Sequence, residues 1–174
     1  MFDEEDLLVN ETNEIDLKIQ ISRLRQAFVE IWIDSEPLQE PHDICLWSLA
    51  ASCCRPGNFE IFTCGCGIAG CAGIEEGVTV AHTGQRIEWS LRSPQSKDGF
   101  KDEQEWRERS NLLHFSFDRA QYIREIQQEI VFAEFNHPKN IELGPEWQEP
   151  QTFSTLSQML AEGLTSSQTG ALQK

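Results

Sequence analysis

Hydrophobic and polar residues alternate from Ile15 to Ile21, where Ile15, Leu17, Ile19 and Ile21 are separated by Asp16, Lys18 and Gln20. A period of two predicts a strand with one covered face. A second such stretch runs from Ala27 to Asp34, with Ala27, Val29, Ile31 and Ile33 on one side. Phe28 and Trp32 share its other side with Glu30, so cover is expected on both faces. The S-R-L-R-Q between the two strands contains no glycine turn, which leaves the register of a hairpin open. The next segment, S-E-P-L-Q-E-P-H-D, reads as a polar connection punctuated by proline.

The period then changes. Asp43 is placed to cap a short helix on which Ile44, Trp47, Ala51 and Cys54 recur at 3-4-3 spacing. Apolar residues on its other face predict that it is largely buried, and Pro56 and Gly57 stop it. A short buried strand from Asn58 to Cys64 enters the loop T-C-G-C-G-I-A-G-C-A-G, residues 63 to 73. Beyond the loop, Val78 and Val80 alternate with polar neighbours, as do Ile87, Trp89 and Leu91 on the far side of H-T-G-Q. A two-residue turn at Thr83 and Gly84 would set Val80 opposite Ile87 and Val78 opposite Trp89. Residues 93 to 110 are charged and turn-rich, a solvated excursion with Trp106 pinning its end. Leu112, Leu113, Phe115 and Phe117 then lead into a helix starting near Asp118, with Gln121 at the reciprocal capping distance. Ala120, Ile123, Ile126, Ile130 and Ala133 form its core face, and Pro138 bounds it. Leu156 and Leu160 predict a short final helix from Ser154 through Glu162, stopped by Gly163.

These elements predict one α+β domain over residues 15–137. A mainly antiparallel sheet is covered by two principal helices, 43–54 and 118–135, and the Cys/Gly-rich loop joins a strand to a hairpin. A flexible acidic arm, 1–14, precedes the domain; an extension, 138–174, follows it, with a short helix that docks on the domain or on a partner. The chain has 174 residues, 39% of them hydrophobic, with five Trp and ten Phe, which is enough for one core. No apolar run is long enough for a conventional membrane helix. Residues 1 to 16 carry seven acids and no base, unlike the basic start of a secretory leader, so a reducing cytoplasm is the expected home of the six cysteines.

Charge narrows the partners. With 29 acidic against 14 basic residues the net charge is -15, and no run of Lys or Arg offsets it. Such a field repels nucleic-acid phosphates and anionic lipids, and favours a basic protein. The leading expectation is therefore a non-enzymatic, acidic protein-binding module, of inhibitor or immunity type, that neutralises a basic protein. Trp32, Trp106 and Trp147 stand beside or near acids and are the interface candidates, with core anchoring as the competing role.

The cysteines supply the other candidate chemistry. Cys64, Cys66 and Cys71 are thiolate ligands that zinc would accept, and Cys54 is the fourth ligand carried forward, with Cys53 or His82 able to take its place. Cys64 and Cys66 share a face of an extended strand, and the glycines would bring Cys71 back. No pair of C-x2-C knuckles is present, and compact buried thiols explain the same residues. A structural zinc is thus the one cofactor considered, in a zinc-stabilised regulatory or scaffold module. A thiol-dependent enzyme is the third reading. It would need a base beside a cysteine, yet His42, His82 and His114 form no recognised catalytic signature, and Cys53 and Cys54 are adjacent rather than spaced as a redox pair. The glycines are no phosphate loop, since the Walker pattern is missing and Glu75 and Glu76 follow. The pairs Glu75/Glu76 and Asp102/Glu103 match no metal-loop pattern.

Overall fold

Alternation builds the first sheet. In the computed structural model, which describes residues 12–21, 27–38, 43–63, 77–92, 101–102, 104–105, 112–136 and 152–171, β1 (Ile15–Ile21) pairs antiparallel with β2 (Ala27–Ile33), Ile15 opposite Ile33 and Leu17 opposite Ile31. All four of those side chains are buried. On the far side of β2 the Phe28 side chain lies outside the described residues. Trp32 is half-buried there, with the Lys18 ammonium 3.7 Å from its ring centroid. The connection after β2 is also more ordered than its composition implied. Asp34 and Ser35 both adopt positive φ, 53° and 67°, the signs of a type I′ hairpin turn, and Glu36–Pro37 returns as β3 opposite Trp32 and Ile33. Aspartate tolerates that conformation through its side-chain hydrogen bonds. Here the Asp34 carboxylate accepts from the Glu14 backbone N–H and the Asn13 amide, each at 2.8 Å.

The expected helix over 43–54 is shorter. Asp43–Ile44 forms β4, Cys45 occupies the cap position without a side-chain bond, and α1 spans Leu46–Cys54. Its inward face is Leu46, Leu49, Ala50, Ser52 and Cys53, while Trp47, placed inside by the 3-4-3 reading, is 37% exposed. With apolar residues all round the helix, spacing alone could not choose the face. The expected strand 58–64 is broken into two. β5 (Gly57–Phe59) joins the last sheet, and β6 (Phe62–Thr63) pairs with β4. The Cys/Gly-rich loop lies outside the described residues.

The sheet that closes the core has strand order β5-β7-β8-β9, with β7 over Val78–Thr83, β8 over Arg86–Arg92 and β9 over Leu112–Asp118. The expected β7–β8 hairpin is present, but its turn is one residue later. Gly84 is the first central residue, with φ 60°, as a type II′ turn requires, so Val80 faces Trp89 and His82 faces Ile87. Moving the partner by two positions preserves the parity of the pleat, and Val78, Val80, Ile87, Trp89 and Leu91 are all still buried. Asn13 ties the two larger sheets together. Its N–H donates to the Ser116 carbonyl at 2.7 Å, and its side-chain oxygen accepts from the Ser116 N–H at 2.8 Å.

Two long helices complete a mixed α+β fold with antiparallel sheets. The Asp118 carboxylate accepts the Gln121 N–H at 2.8 Å and starts α2, Arg119–Asn136. The reciprocal half of that cap is not made, because the Gln121 amide donates to the Ile15 carbonyl at 2.8 Å and ties α2 to β1. The last helix, α3, runs through the expected stop, from Phe153 to Ala171. Phe153, Leu156 and Leu160 are buried against α1 and α2. Gly163 serves this packing: a Cβ there would collide with Cys54 Sγ and come within 2.9 Å of Cys54 Cβ. Among the described residues, no helix is long and apolar enough to cross a membrane.

Gly163→Val should therefore cost about 1–3 kcal/mol through overpacking of the α1–α3 contact. In urea titrations the loss should shrink in a Cys54→Gly background; an equal loss in both backgrounds would place the strain elsewhere.

Candidate functional site

The thiols of α1 pack within the fold. Cys53 is fully buried, its Sγ–H aimed at the Leu49 carbonyl at 3.8 Å, and burial pushes the thiol pKa well up, with the neighbouring Cys54 adding to it. Cys54 is half-buried against α3. Burial raises its pKa too, opposed by the Arg55 charge, and its Sγ–H points at the Ala50 carbonyl at 3.7 Å. A nucleophilic or redox cysteine needs the opposite shift. His82 is also occupied. Its Nε2 lies 2.8 Å from the Ser52 carbonyl, an oxygen that can only accept, so this nitrogen carries the hydrogen. Desolvation holds the ring below its ordinary pKa of 6.5.

Of the zinc set, Cys54 is in place at the end of α1, while Cys64, Cys66 and Cys71 lie outside the described residues. Among the described residues, no three His, Cys, Asp or Glu side chains gather as metal ligands do. Of the interface tryptophans, Trp106 and Trp147 also lie outside. Trp32 is on the outer side of β2, its indole N–H donating to Glu30 at 3.3 Å.

A different surface stands out, on α2. Tyr122, Ile126, Ile130 and Ala133 form its buried stripe. Ala120, expected in the core, is exposed and Ile123 is half-buried, because Tyr122 takes the inward position at the start of the helix. The opposite side carries large apolar side chains as well. Phe132 is 57% and Phe135 82% exposed. They line an open groove of about 710 Å³ together with Ala120, Ile123 and Val131 and the polar Arg124, Gln127, Gln128 and Asn136. Ala120 to Phe135 spans about 22 Å of helix at 1.5 Å per residue. The signal was legible: Val131, Phe132 and Phe135 fall off the Ile126/Ile130/Ala133 stripe, so a helix burying only that stripe must leave them outside.

Carboxylates border this groove. Glu125 and Glu129 stand one turn apart on the side of α2 nearest β1, and Phe132 follows Glu129 by three residues, the spacing of helix neighbours. The Leu17 N–H donates to Glu125 at 3.4 Å. Burial raises the Glu125 pKa, and the Asp16 charge adds to the effect against that backbone bond and Arg124. Glu129 is raised by burial, then by Glu125 and Asp16. Lys18 meets this trio only at Asp16, 3.7 Å away. The arrangement holds negative charge together at the edge of an exposed aromatic surface.

No protein-family model matches this chain, and no curated protein or solved structure does either. The site therefore rests on its own geometry.

Two measurements test this description. Mass-mapped alkylation of the native protein at mildly alkaline pH should leave Cys53 unmodified until the chain unfolds; rapid labelling would mean an accessible thiolate. A raised folded pKa makes Glu129 favourable to folding below its unfolded value of 4.5, and that contribution is lost as pH rises through the folded value. Glu129→Gln should accordingly stabilise the protein at neutral pH, with the gain fading as pH falls toward that of an ordinary carboxyl. A pH-independent difference would point to packing instead of charge.

Proposed function

We propose that this chain is a non-enzymatic, acidic protein-binding module that engages a basic protein partner in the cytoplasm, of inhibitor or immunity type, through the outer face of α2. The observation that carries the reading is the pair Phe132 and Phe135, exposed beside one another on a helix whose other side is fully committed to the core. Large exposed aromatic surface is costly in water and typical of sites that another protein covers. The net charge of -15 favours a basic partner, steering it from a distance, while the phenylalanines supply the area that holds it once seated. Burial pushes the Cys53 thiol in the direction that disables a nucleophile, which favours binding over thiol catalysis.

In affinity capture at low salt, the double variant Phe132→Ser/Phe135→Ser should lose a protein that the wild type retains, and raising the salt should weaken wild-type capture. These residues are solvent-facing, so the variant should keep its circular dichroism spectrum. Retention of the same proteins by both forms would remove α2 as the docking face.

A further inference from the structure

Resting on the reading of α2 as the docking face, we infer that the partner presents an amphipathic helix. Its apolar stripe lies along the groove from Ala120 to Phe135, and a flanking row of Lys or Arg lies over Glu125, Glu129 and Asp16. The shape argues for a helix. The groove follows one helix axis for about four turns, and among the described residues its walls are side chains of α2. An extended strand would find no unpaired backbone there, because strand addition needs a sheet edge. A helix needs only an apolar patch at its own spacing, and Val131, Phe132 and Phe135 offer one at i, i+1 and i+4, with Ala120 three turns earlier beyond Gln128 and Arg124.

Charge sets the orientation of the flanks. Glu125 and Glu129 form an i, i+4 row beside Phe132, and Asp16 on β1 extends it. Among the described residues, the cations facing this row are Arg124 on α2 and Lys18 on β1, and Lys18 also sits over Trp32. A partner ammonium or guanidinium placed on the row would relieve the mutual repulsion of the three carboxylates. Arg124, within the groove itself, favours an uncharged polar or acidic residue opposite it. A second copy of this chain is a poorer occupant, since each copy carries a charge of -15 and brings the same acidic row to the contact.

The probe is an 18-residue helical peptide with a leucine stripe, a central Gln and lysines along one flank, titrated into the full chain and followed by NMR and calorimetry. We expect shifts centred on α2 and affinity falling with salt and with acidification, since Glu125 and Glu129 must be charged. A peptide of the same composition with its periodicity scrambled should bind about tenfold more weakly or worse. Glu125→Gln/Glu129→Gln should weaken binding about tenfold. The equal charge change Glu36→Gln/Glu60→Gln, at exposed sites away from the groove, should leave it within about twofold. Equal affinities for these two variants would overturn the assigned flank, while the docking face would survive if Phe132→Ser/Phe135→Ser still cost about thirtyfold. If that aromatic variant bound as well as the wild type, the docking face itself would fall. Sedimentation showing a dimer without peptide, abolished by Phe135→Ser, would make a second copy the occupant and overturn the inference.

Discussion

The fold depends on one buried aromatic contact, the indole of Trp89 at the centre of β8. Its ring meets Phe62 of β6 edge-on at 6.4 Å, Phe117 of β9 at 5.5 Å and Tyr122 of α2 at 5.8 Å. One side chain thus joins two sheets and the central helix. Aromatic pairs in this geometry add about 0.5–1.5 kcal/mol each beyond the area they bury. The chain of contact continues through Tyr122. Ser52 gives its single hydrogen to the Leu49 carbonyl at 2.5 Å, so the Tyr122 hydroxyl donates to Ser52 Oγ at 2.7 Å and fastens α2 to α1. Burial pushes the Tyr122 pKa well up, which keeps it a neutral donor.

That commitment explains why α2 has a bare side. The helix contacts β1, β8, β9, α1 and α3, and Tyr122, Ile126, Ile130 and Ala133 satisfy those neighbours from one stripe. Among the described residues of the remaining arc, Ile123 still packs partly against the core, while Phe132 and Phe135 are left exposed. Phe132 and Phe135 are therefore a consequence of how firmly the other side is held, and a rigid helix presenting a fixed pair of rings is a suitable platform for recognition. The carboxylates along its border turn a generic apolar strip into one with a charge preference.

Much of the fold was legible in local pattern. The limits of β1, the start of β2, the presence of the β7–β8 hairpin, the cap at Asp118 and, to within one residue, the start of the last helix follow from period and capping chemistry, which need only near neighbours. Three misreadings share one cause. Leu46, Leu49 and Cys53 displaced Trp47 from the core, Tyr122 displaced Ala120, and Gly163 continued a helix it was expected to stop. In each case several local choices were nearly equal, and packing against an element far away in sequence decided among them. The proposed docking face was half legible: its phenylalanines were visible off the core stripe, but their exposure in the fold was not.

By itself, then, the sequence determined the acidic field, the β1–β2 and β7–β8 hairpins and the amphipathic helices, because charge and side-chain periodicity are local properties. Only the tertiary structure decided which side of each helix is buried, which sheet each half of the 57–63 segment joins, and where the carboxylates of Asp16, Glu125 and Glu129 meet. Those outcomes depend on surfaces brought together across the chain. A glycine such as Gly163 shows the difference plainly: its role is set by Cys54, a residue of another helix whose approach no local pattern encodes.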